Sequence, residues 1–181
     1  MKNLYGDLPE KDSLLSSGIP SVEDLDRVLP PPEARRKGPV AVLECFQKIP
    51  CDPCAQACKL GAIKEFSDVN DLPVIDWTKC TGCGQCVAAC PGLAIFVVDE
   101  TYSPEECLIA MPHEFVPLPE RDQVVLLYDR AGRHVGEGIV HRVIRGRDKL
   151  ATPVVWVRAP KALAYVARAL GLPESQGRSG N

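Results

Sequence analysis

Eight of the nine cysteines in this 181-residue chain stand in two tight groups. The first group is Cys45, Cys51, Cys54 and Cys58, and the second group is Cys80, Cys83, Cys86 and Cys90. The second group has gaps of two, two and three residues and is followed by Pro91. At that spacing three cysteines curl the backbone around one cubane iron–sulfur cluster, and the fourth points toward another cluster. The pattern therefore predicts two 4Fe–4S clusters.

Zinc binding and disulfide formation are the alternatives for so many cysteines. Structural zinc sites use two well-separated cysteine pairs, an arrangement that would leave Cys51 and Cys86 without a role. Disulfide frameworks are typical of secreted chains, whereas the polar start "MKNLYGDLPEKD" shows no signal peptide. No apolar stretch reaches the length of about 18 residues that a membrane span needs. We therefore expect a cytoplasmic metal-binding protein with no membrane span.

An internal repeat surrounds the two cysteine groups. The stretch "PVAVLECFQKIPCDPCAQACKLGAIKEF" aligns with "PVIDWTKCTGCGQCVAACPGLAIFVVDE". Each copy opens with an apolar, strand-like run and closes on Ala-Ile and a β-rich segment, and a single helical turn is expected after Cys54 and after Cys86. Two equivalent half-units predict a core with pseudo-twofold symmetry over residues 39–100.

The rest of the chain is predicted to form an arm at 1–38, a connector at 101–119 and a C-terminal domain at 120–181. In the arm, Ser21 is the expected N-cap of one short helix, which Pro30 stops. In the C-terminal domain we expect two strands joined at "DRAGR", a third strand in "TPVVWVRA" and a helix over "PKALAYVARALG". The predicted fold class is α+β, with a two-cluster core and a small β-rich domain closed by one helix.

Charge is divided unevenly along the chain. Residues 1–119 hold 10 Lys and Arg against 18 Asp and Glu, whereas residues 120–181 hold 11 against 6. Two solvated surfaces of opposite sign would explain this division, and so would a docking role for one of them.

Residues 39–100 resemble the bacterial-type ferredoxins with two 4Fe–4S clusters, because they contain the complete motif "CTGCGQCVAACP". The resemblance implies a compact fold of two pseudo-symmetric halves with short β-hairpins. It also implies the ligand sets. Cys80, Cys83 and Cys86 would hold one cluster with Cys58, and Cys45, Cys51 and Cys54 would hold the other cluster with Cys90.

The first departure from that family pattern is the loop "FQKIP", which puts Cys45 three residues farther from Cys51. Extra loop length costs little entropy. We expect Cys45 to be a ligand, because it ends a predicted strand in the same place as Cys80 does. The alternative is a structural Cys45 beside a three-iron cluster.

The second departure is Lys59, which stands where the family has a proline. A cation near a cluster favours its reduced form and would raise its potential, and Lys48 and Lys79 would add to the effect. The alternative is that all three lysines are exposed and screened by salt. Cys107 has no partner at ligand spacing, so we expect it to be a buried residue without a metal.

The sequence shows no G-x-G-x-x-G motif and no P-loop, and His113, His134 and His141 are scattered. We therefore expect a non-catalytic protein that exchanges electrons with other proteins. The stretches "ECFQKIPCDPCAQACKLGAI" and "VPLPERDQVVLLYDRAGRHVGEG" resemble the ferredoxin-like subunits that accompany FAD- and NAD-dependent dehydrogenases of amino acids or amines in bacteria. This second resemblance implies flavoprotein partners in a hetero-oligomer.

Two other functions stay open at this point. One is a free ferredoxin with an appended domain. The other is an iron–sulfur or zinc module that binds nucleic acid, which the nine arginines in residues 120–181 would favour. The aromatic residues there are only Tyr128, Trp156 and Tyr165, and so small a supply argues against base stacking.

Overall fold

The computed structural model describes residues 4–6, 8, 14–146 and 152–173, and within them lie five short helices and one sheet of seven strands. The helices are α1 (Leu14–Ser17), α2 (Val22–Val28), α3 (Pro32–Arg35), α4 (Pro53–Ala57) and α5 (Gln85–Ala89). The strands are β1 (Val40–Leu43), β2 (Ile95–Asp99), β3 (Glu106–Pro112), β4 (Val124–Tyr128), β5 (His134–Ile144), β6 (Val154–Pro160) and β7 (Ala169–Gly171). This sheet with few helices confirms the predicted mixture of α and β structure.

The strand order in the sheet is β1-β2-β3-β6-β5-β4-β7, and all neighbouring strands are antiparallel. At one end, Val40 of β1 lies opposite Val98 of β2. In the middle, β3 and β6 pair along their whole length, from Glu106 opposite Pro160 to Pro112 opposite Val154. The strands of residues 39–100 and those of residues 120–181 therefore belong to one continuous sheet.

The sequence analysis missed strand β3, which joins the two parts of the sheet. It lies in the segment 101–119 that was predicted to be a connector. Residues Cys107–Met111 are all buried, so no alternation of polar and apolar residues marks them, as expected for a strand covered on both faces. Pro104 and Pro112 at its two ends had favoured a loop. The division of the chain at residue 120 stays a prediction, and the sheet continues across it.

Side chains along the strands alternate between two hydrophobic cores, one on each face of the sheet. On β2, Val97 packs into one core, whereas Phe96 and Val98 pack into the other. The core that contains Val97 also contains Cys54 and Cys86, and we call it the cysteine-side core. The segments that carry Cys54 and Cys86 therefore lie on one face of the sheet.

The opposite face is covered by both ends of the described chain, and we call its core the arm-side core. Tyr5 and Leu25 enter it from the arm, and Ala164, Tyr165 and Ala167 enter it from the C-terminal segment. The predicted arm helix is confirmed as α2. Its N-cap residue Ser21 accepts a hydrogen bond from the Asp24 backbone and donates its own N–H to the Asp24 carboxylate, which completes a capping box.

The helix predicted over residues 160–171 is wrong. A 3₁₀ helix, Lys161–Leu163, is followed by a turn over residues 164–166, and β7 then pairs with β4. The residues Ala164–Ala167 are buried one after another, and a surface helix would have turned one of four consecutive side chains outward. Arg168 then leads the chain into β7, because its N–H donates to the Tyr128 carbonyl at 2.8 Å. Burial of this segment in the arm-side core outweighed the helical propensity of the alanine-rich sequence.

A helix of the length and hydropathy needed to cross a membrane is not found anywhere in the described part of the chain.

Packing of the arm against the sheet leads to a prediction about two leucines. Leu25 on α2 is 1% exposed in the arm-side core, whereas Leu15 on α1 is 93% exposed. Leu25→Ala should lower the free energy of unfolding by about 2–5 kcal/mol, because it leaves a cavity in a packed core. Leu15→Ala should change it little. Denaturant titration of both variants measures this, and equal effects would mean that the arm does not belong to the folded core.

Candidate iron–sulfur site

The eight clustered cysteines are carried by two short helices and the loops that precede them. Cys54 lies in α4 and Cys58 is the residue that ends it, while Cys86 and Cys90 take the same places in α5. Each helix has five residues, and the two helices pack against each other. The single helical turns expected after Cys54 and Cys86 are thus present, each beginning just before its cysteine.

Local sequence explains why each helix begins where it does. Pro53 occupies the first turn of α4, where its missing N–H is not needed. Gly84 precedes α5 with a φ of 80°, in the left-handed region that glycine adopts at no steric cost. Both helices end after five residues, where the backbone leaves the helical conformation at Cys58 and at Cys90. This repeated turn brings the last cysteine back beside the other group.

Electrostatics shows which thiols are neighbours. Burial, and then the charge of Cys90, raises the pKa of Cys45, Cys51 and Cys54, to about 11 in the case of Cys54. Burial raises the pKa of Cys86 to about 12, followed by contributions from its own set of thiols. These are Cys80, Cys83 and Cys58, with a smaller contribution from Cys54. The structure therefore brings together Cys45, Cys51, Cys54 and Cys90, here the Cys45 group, and separately Cys58, Cys80, Cys83 and Cys86, here the Cys80 group.

A cavity of about 240 Å³ lies among the thiols of the Cys80 group. All four cysteines line it, together with Ala41, Ile63, Ile75 and Val97 and the backbone around Gly82 and Gly84. Soft sulfur donors on an apolar wall suit an iron–sulfur cluster better than they suit a hard cation. A second, more open cavity of about 650 Å³ is lined by Cys45, Cys51 and Cys90. The residues present thus fit iron–sulfur ligation at both places.

Backbone N–H groups point at three of the sulfurs. Ala41 donates to Cys80 Sγ at 3.4 Å and Ile63 donates to Cys58 Sγ at 3.4 Å. Ala94 donates to Cys90 Sγ, in the other group, at 3.5 Å. A hydrogen bond to the charged form of a group favours that form, and the thiolate is the form that binds metal. Each group thus has backbone support for at least one thiolate.

Among the described residues, no three or more His, Cys, Asp or Glu side chains are placed to hold a single metal ion. This finding concerns one ion at a common centre. The four thiols of a cubane cluster each bind a different iron, so they need not converge on one point.

Cys45 joins its group in spite of the longer loop. The loop leaves β1, runs through the exposed residues Gln47–Pro50 and returns at Cys51. The N–H of Cys51 donates to the Val69 carbonyl at 3.0 Å, which fixes the end of the loop against the next turn. The five-residue gap therefore bulges into solvent without separating Cys45 from the cysteines that follow it.

The three lysines near the cysteine groups are all exposed, as the screening alternative requires. Lys59 lines the cavity of the Cys80 group at its rim. Lys48 lies on the exposed loop, and Lys79 Nζ is 3.9 Å from Asp76 Oδ2. Exposed charges act weakly at physiological ionic strength. We therefore expect a small effect of these lysines on any cluster potential.

The ninth cysteine is buried, as predicted. Cys107 is fully buried on β3, and its Sγ donates to the Ala159 carbonyl at 3.5 Å. Burial raises the pKa of its thiol to about 12. His134 and His141 lie on β5, as expected, while His113 follows β3 and is buried.

Sequence reasoning missed three charged residues beside the Cys45 group. Glu44, Arg130 and Arg168 line the same cavity as Cys45, Cys51 and Cys90. The two arginines lie 86 and 124 residues from Glu44 along the chain. No local spacing links residues so far apart. The one signal was the excess of arginine after residue 120, which pointed only to a basic region.

The family model described as a 4Fe-4S binding domain matches residues 73–96. This match confirms the prediction of 4Fe–4S binding. This segment contains four cysteines of the motif, from Cys80 to Cys90. No solved structure matches the chain.

Three curated relatives are similar to part of the chain. The thiosulfate reductase electron transfer subunit PhsB of Salmonella typhi is 31% identical over 67 residues, which is 34% of this chain and 34% of the relative. A tetrathionate reductase subunit of Salmonella typhimurium is 37% identical over 59 residues, or 32% and 23% of the two chains. A subunit of the ion-translocating oxidoreductase complex of Methanosarcina acetivorans is 49% identical over 49 residues, or 26% and 17%. The chain thus spans about a third or less of the length of these relatives.

Gly82 allows a test of the loop that carries Cys80 and Cys83. Its φ is +62°, and a Cβ at this position would lie 2.5 Å from Pro39 Cβ. Gly82→Ala should therefore destabilise the protein by at least about 1–2 kcal/mol from the backbone conformation alone, and less iron should be retained. Gly92→Ala is the matched control, because a Cβ there meets nothing within 4 Å. Equal iron content and equal melting temperature in the two variants would contradict the close packing of this loop on Pro39.

Proposed function

We propose that the chain holds two 4Fe–4S clusters and transfers electrons as a non-catalytic subunit of a larger oxidoreductase complex. The observation that carries this proposal is the grouping of the eight thiols. Each group combines three cysteines of one repeat with the last cysteine of the other repeat, as a two-cluster ferredoxin requires. Cys58, Cys80, Cys83 and Cys86 would hold one cluster, and Cys45, Cys51, Cys54 and Cys90 would hold the other.

The chain's own residues supply ligands, thiolate support and insulation. When bound, such clusters accept and release single electrons. The backbone N–H groups of Ala41, Ile63 and Ala94 favour thiolate ligands. The cysteine-side core keeps water from one side of the site, because Cys54 and Cys86 are buried in it. The helix α4, which carries Cys54, packs against α5, which carries Cys86, so the two groups lie close together.

A flavoprotein is the proposed partner, in a hetero-oligomer that we place in the cytoplasm. The resemblance to ferredoxin-like subunits of FAD- and NAD-dependent amino-acid or amine dehydrogenases supports this choice. The names of the relatives support the coarser role, because each is a subunit of an oxidoreductase and one is named an electron transfer subunit. Cys83 of the Cys80 group is exposed, which gives electrons a short path to a partner docked on that side.

The described arginines of the C-terminal region argue against the nucleic-acid alternative. Several of them already have partners within the chain. Arg130 and Arg168 bind Glu44, Arg158 Nε is 3.3 Å from Glu106 Oε1, and the guanidinium of Arg142 lies 4.3 Å from the ring centre of Trp156. A phosphate-binding surface needs arginines that are free to reach the backbone of the nucleic acid. The excess of positive charge is thus largely used inside the fold.

Cluster content provides the first test. Protein purified without air should carry about eight iron and eight sulfide per chain, the count for two cubanes. Cys45→Ser should lower iron to about seven, because loss of one thiolate releases one corner, and the oxidised protein should show the paramagnetic signal of a three-iron cluster. Cys107→Ser is the matched control and should keep both clusters. An unchanged four-iron spectrum in Cys45→Ser would show that Cys45 is structural, and bound zinc without iron would refute the proposal.

The partner is tested by isolating the native complex from cells through a tag on this chain. A flavin-containing dehydrogenase should co-purify, and electron transfer to an acceptor dye should need both proteins. A complex that contains another class of oxidoreductase would keep the electron-transfer role and exclude the flavoprotein. A lone monomer would favour a free ferredoxin, and bound nucleic acid would favour the binding module.

A further inference from the structure

Two arginines converge on one buried carboxylate beside the Cys45 group. Arg130 reaches both oxygens of Glu44, with Nε–Oε2 at 2.8 Å and Nη2–Oε1 at 2.6 Å. Arg168 Nε reaches Oε1 of the same carboxylate at 2.7 Å. All three side chains are between 5% and 7% exposed. We call these residues the ionic triad.

The triad carries a net positive charge. The Glu44 oxygens accept three charge-assisted hydrogen bonds from two guanidinium groups, which hold the carboxylate in its ionised form. Burial lowers the pKa of Arg168, and Glu44 opposes that shift. A guanidinium remains protonated in proteins. Two positive charges on one negative charge leave one positive charge in excess.

The surroundings of the triad do not neutralise this excess. Asp129 also lines the cavity, but its carboxylate accepts a hydrogen bond from Arg133 Nε at 2.8 Å and is already paired. Arg168 Nη1 donates to the carbonyls of Ala164 and Ala167, and its guanidinium lies 4.8 Å from the ring centre of Phe96. Within the described residues, its buried Nη2 has no hydrogen-bond partner. A buried charge without full compensation is costly. Its presence here indicates that an anionic group lies nearby in the functional protein.

The position of the triad identifies that group. Glu44 immediately precedes Cys45, and its N–H is fixed to the Ala94 carbonyl at 2.8 Å. All three triad residues line the cavity that Cys45, Cys51 and Cys90 also line. A four-iron cluster with four thiolates is negative overall, and reduction makes it more negative. A fixed positive charge beside it therefore favours the reduced state.

We propose that the ionic triad of Glu44, Arg130 and Arg168 raises the reduction potential of the cluster held by the Cys45 group and makes it the electron acceptor of the pair. This inference rests on the proposed function, since it needs a cluster at that group. Among the described residues that line the cavity of the Cys80 group, the basic residue is the exposed Lys59. A buried charge acts more strongly than an exposed one, because solvent and salt screen it less. Electrons that enter at the Cys80 group would thus move toward the Cys45 group.

Opposite charge changes within the triad test the proposal. Arg168→Gln removes the excess positive charge, so the reduction equilibrium of the Cys45-group cluster should shift about tenfold toward the oxidised form, a fall of about 59 mV for one electron. Glu44→Gln increases the excess, so the same potential should rise by a similar amount. Arg168→Lys keeps the charge and should change it little. Redox titration followed by electron paramagnetic resonance measures the reduction potentials of both clusters. The four-iron signal that is lost in Cys45→Ser belongs to the Cys45-group cluster, and the other signal belongs to the Cys80-group cluster.

The Cys80-group cluster and Arg27→Gln serve as controls. Arg27 lies on α2 with 65% of its side chain exposed, so its loss changes the net charge equally and should leave both potentials unchanged. The shifts in reduction potential that the triad variants cause should persist at high salt, because a buried charge is little screened. If Arg168→Gln folds poorly, Arg130→Gln removes the same charge.

The outcomes separate the two proposals. Iron content is measured before titration, and a wild-type protein without a cluster at the Cys45 group would overturn both the proposed function and this inference. If both clusters are present, a shift in the same direction in Arg168→Gln and Glu44→Gln would indicate loosened packing and overturn the electrostatic role alone. Unchanged potentials in both variants would also overturn it and would leave the proposed function intact.

Discussion

The alternation of side chains along four neighbouring strands is the constraint on which the rest of this structure depends. On β1, β2, β3 and β6, every second side chain faces the cysteine loops and the others face the arm and the C-terminal segment. A shift of one residue in any pairing would turn a buried set outward. The register therefore fixes where α4 and α5 lie. Val87, Cys54 and Cys86 of these helices pack on the face that includes Ala41, Val97 and Trp156. The two thiol groups inherit their positions from this packing.

The ionic triad is the second device that joins distant parts of the chain. Glu44 belongs to the first cysteine repeat, Arg130 follows β4, and Arg168 precedes β7. The triad helps to hold the segment before β7 in place, since Arg168 donates its N–H to the Tyr128 carbonyl and its guanidinium to Glu44. The same contact that fixes the C-terminal segment also sets the electrostatic environment of one thiol group. Structure and proposed redox tuning thus depend on one set of hydrogen bonds.

The sequence was sufficient for features whose cause is local. The N-cap at Ser21, the short helices that carry Cys54 and Cys86, the strands β4, β5 and β6, and the burial of Cys107 each follow from residues a few positions apart. The resemblance to ferredoxins also predicted the long-range pairing of the thiols, and the two ligand sets stay a prediction. What could not be predicted depends on contacts far apart in sequence. Strand β3 is defined by burial on both faces, β7 by pairing with β4, and the triad by residues 86 and 124 positions away from Glu44.

The uneven charge along the chain finds a partial explanation inside the fold. The acidic part contributes Glu44, Glu100 and Glu106, and the basic part contributes partners for them. Arg130 and Arg168 bind Glu44, Arg158 approaches Glu106, and the Tyr165 hydroxyl donates to Glu100 at 2.6 Å. A buried ion pair is a weak source of stability, but it is specific about its partner, because leaving either member buried and alone is costly. The opposite charges of the two parts therefore serve first to fix one part against the other. The charged side chains that remain exposed and unpaired are the ones available for docking other proteins.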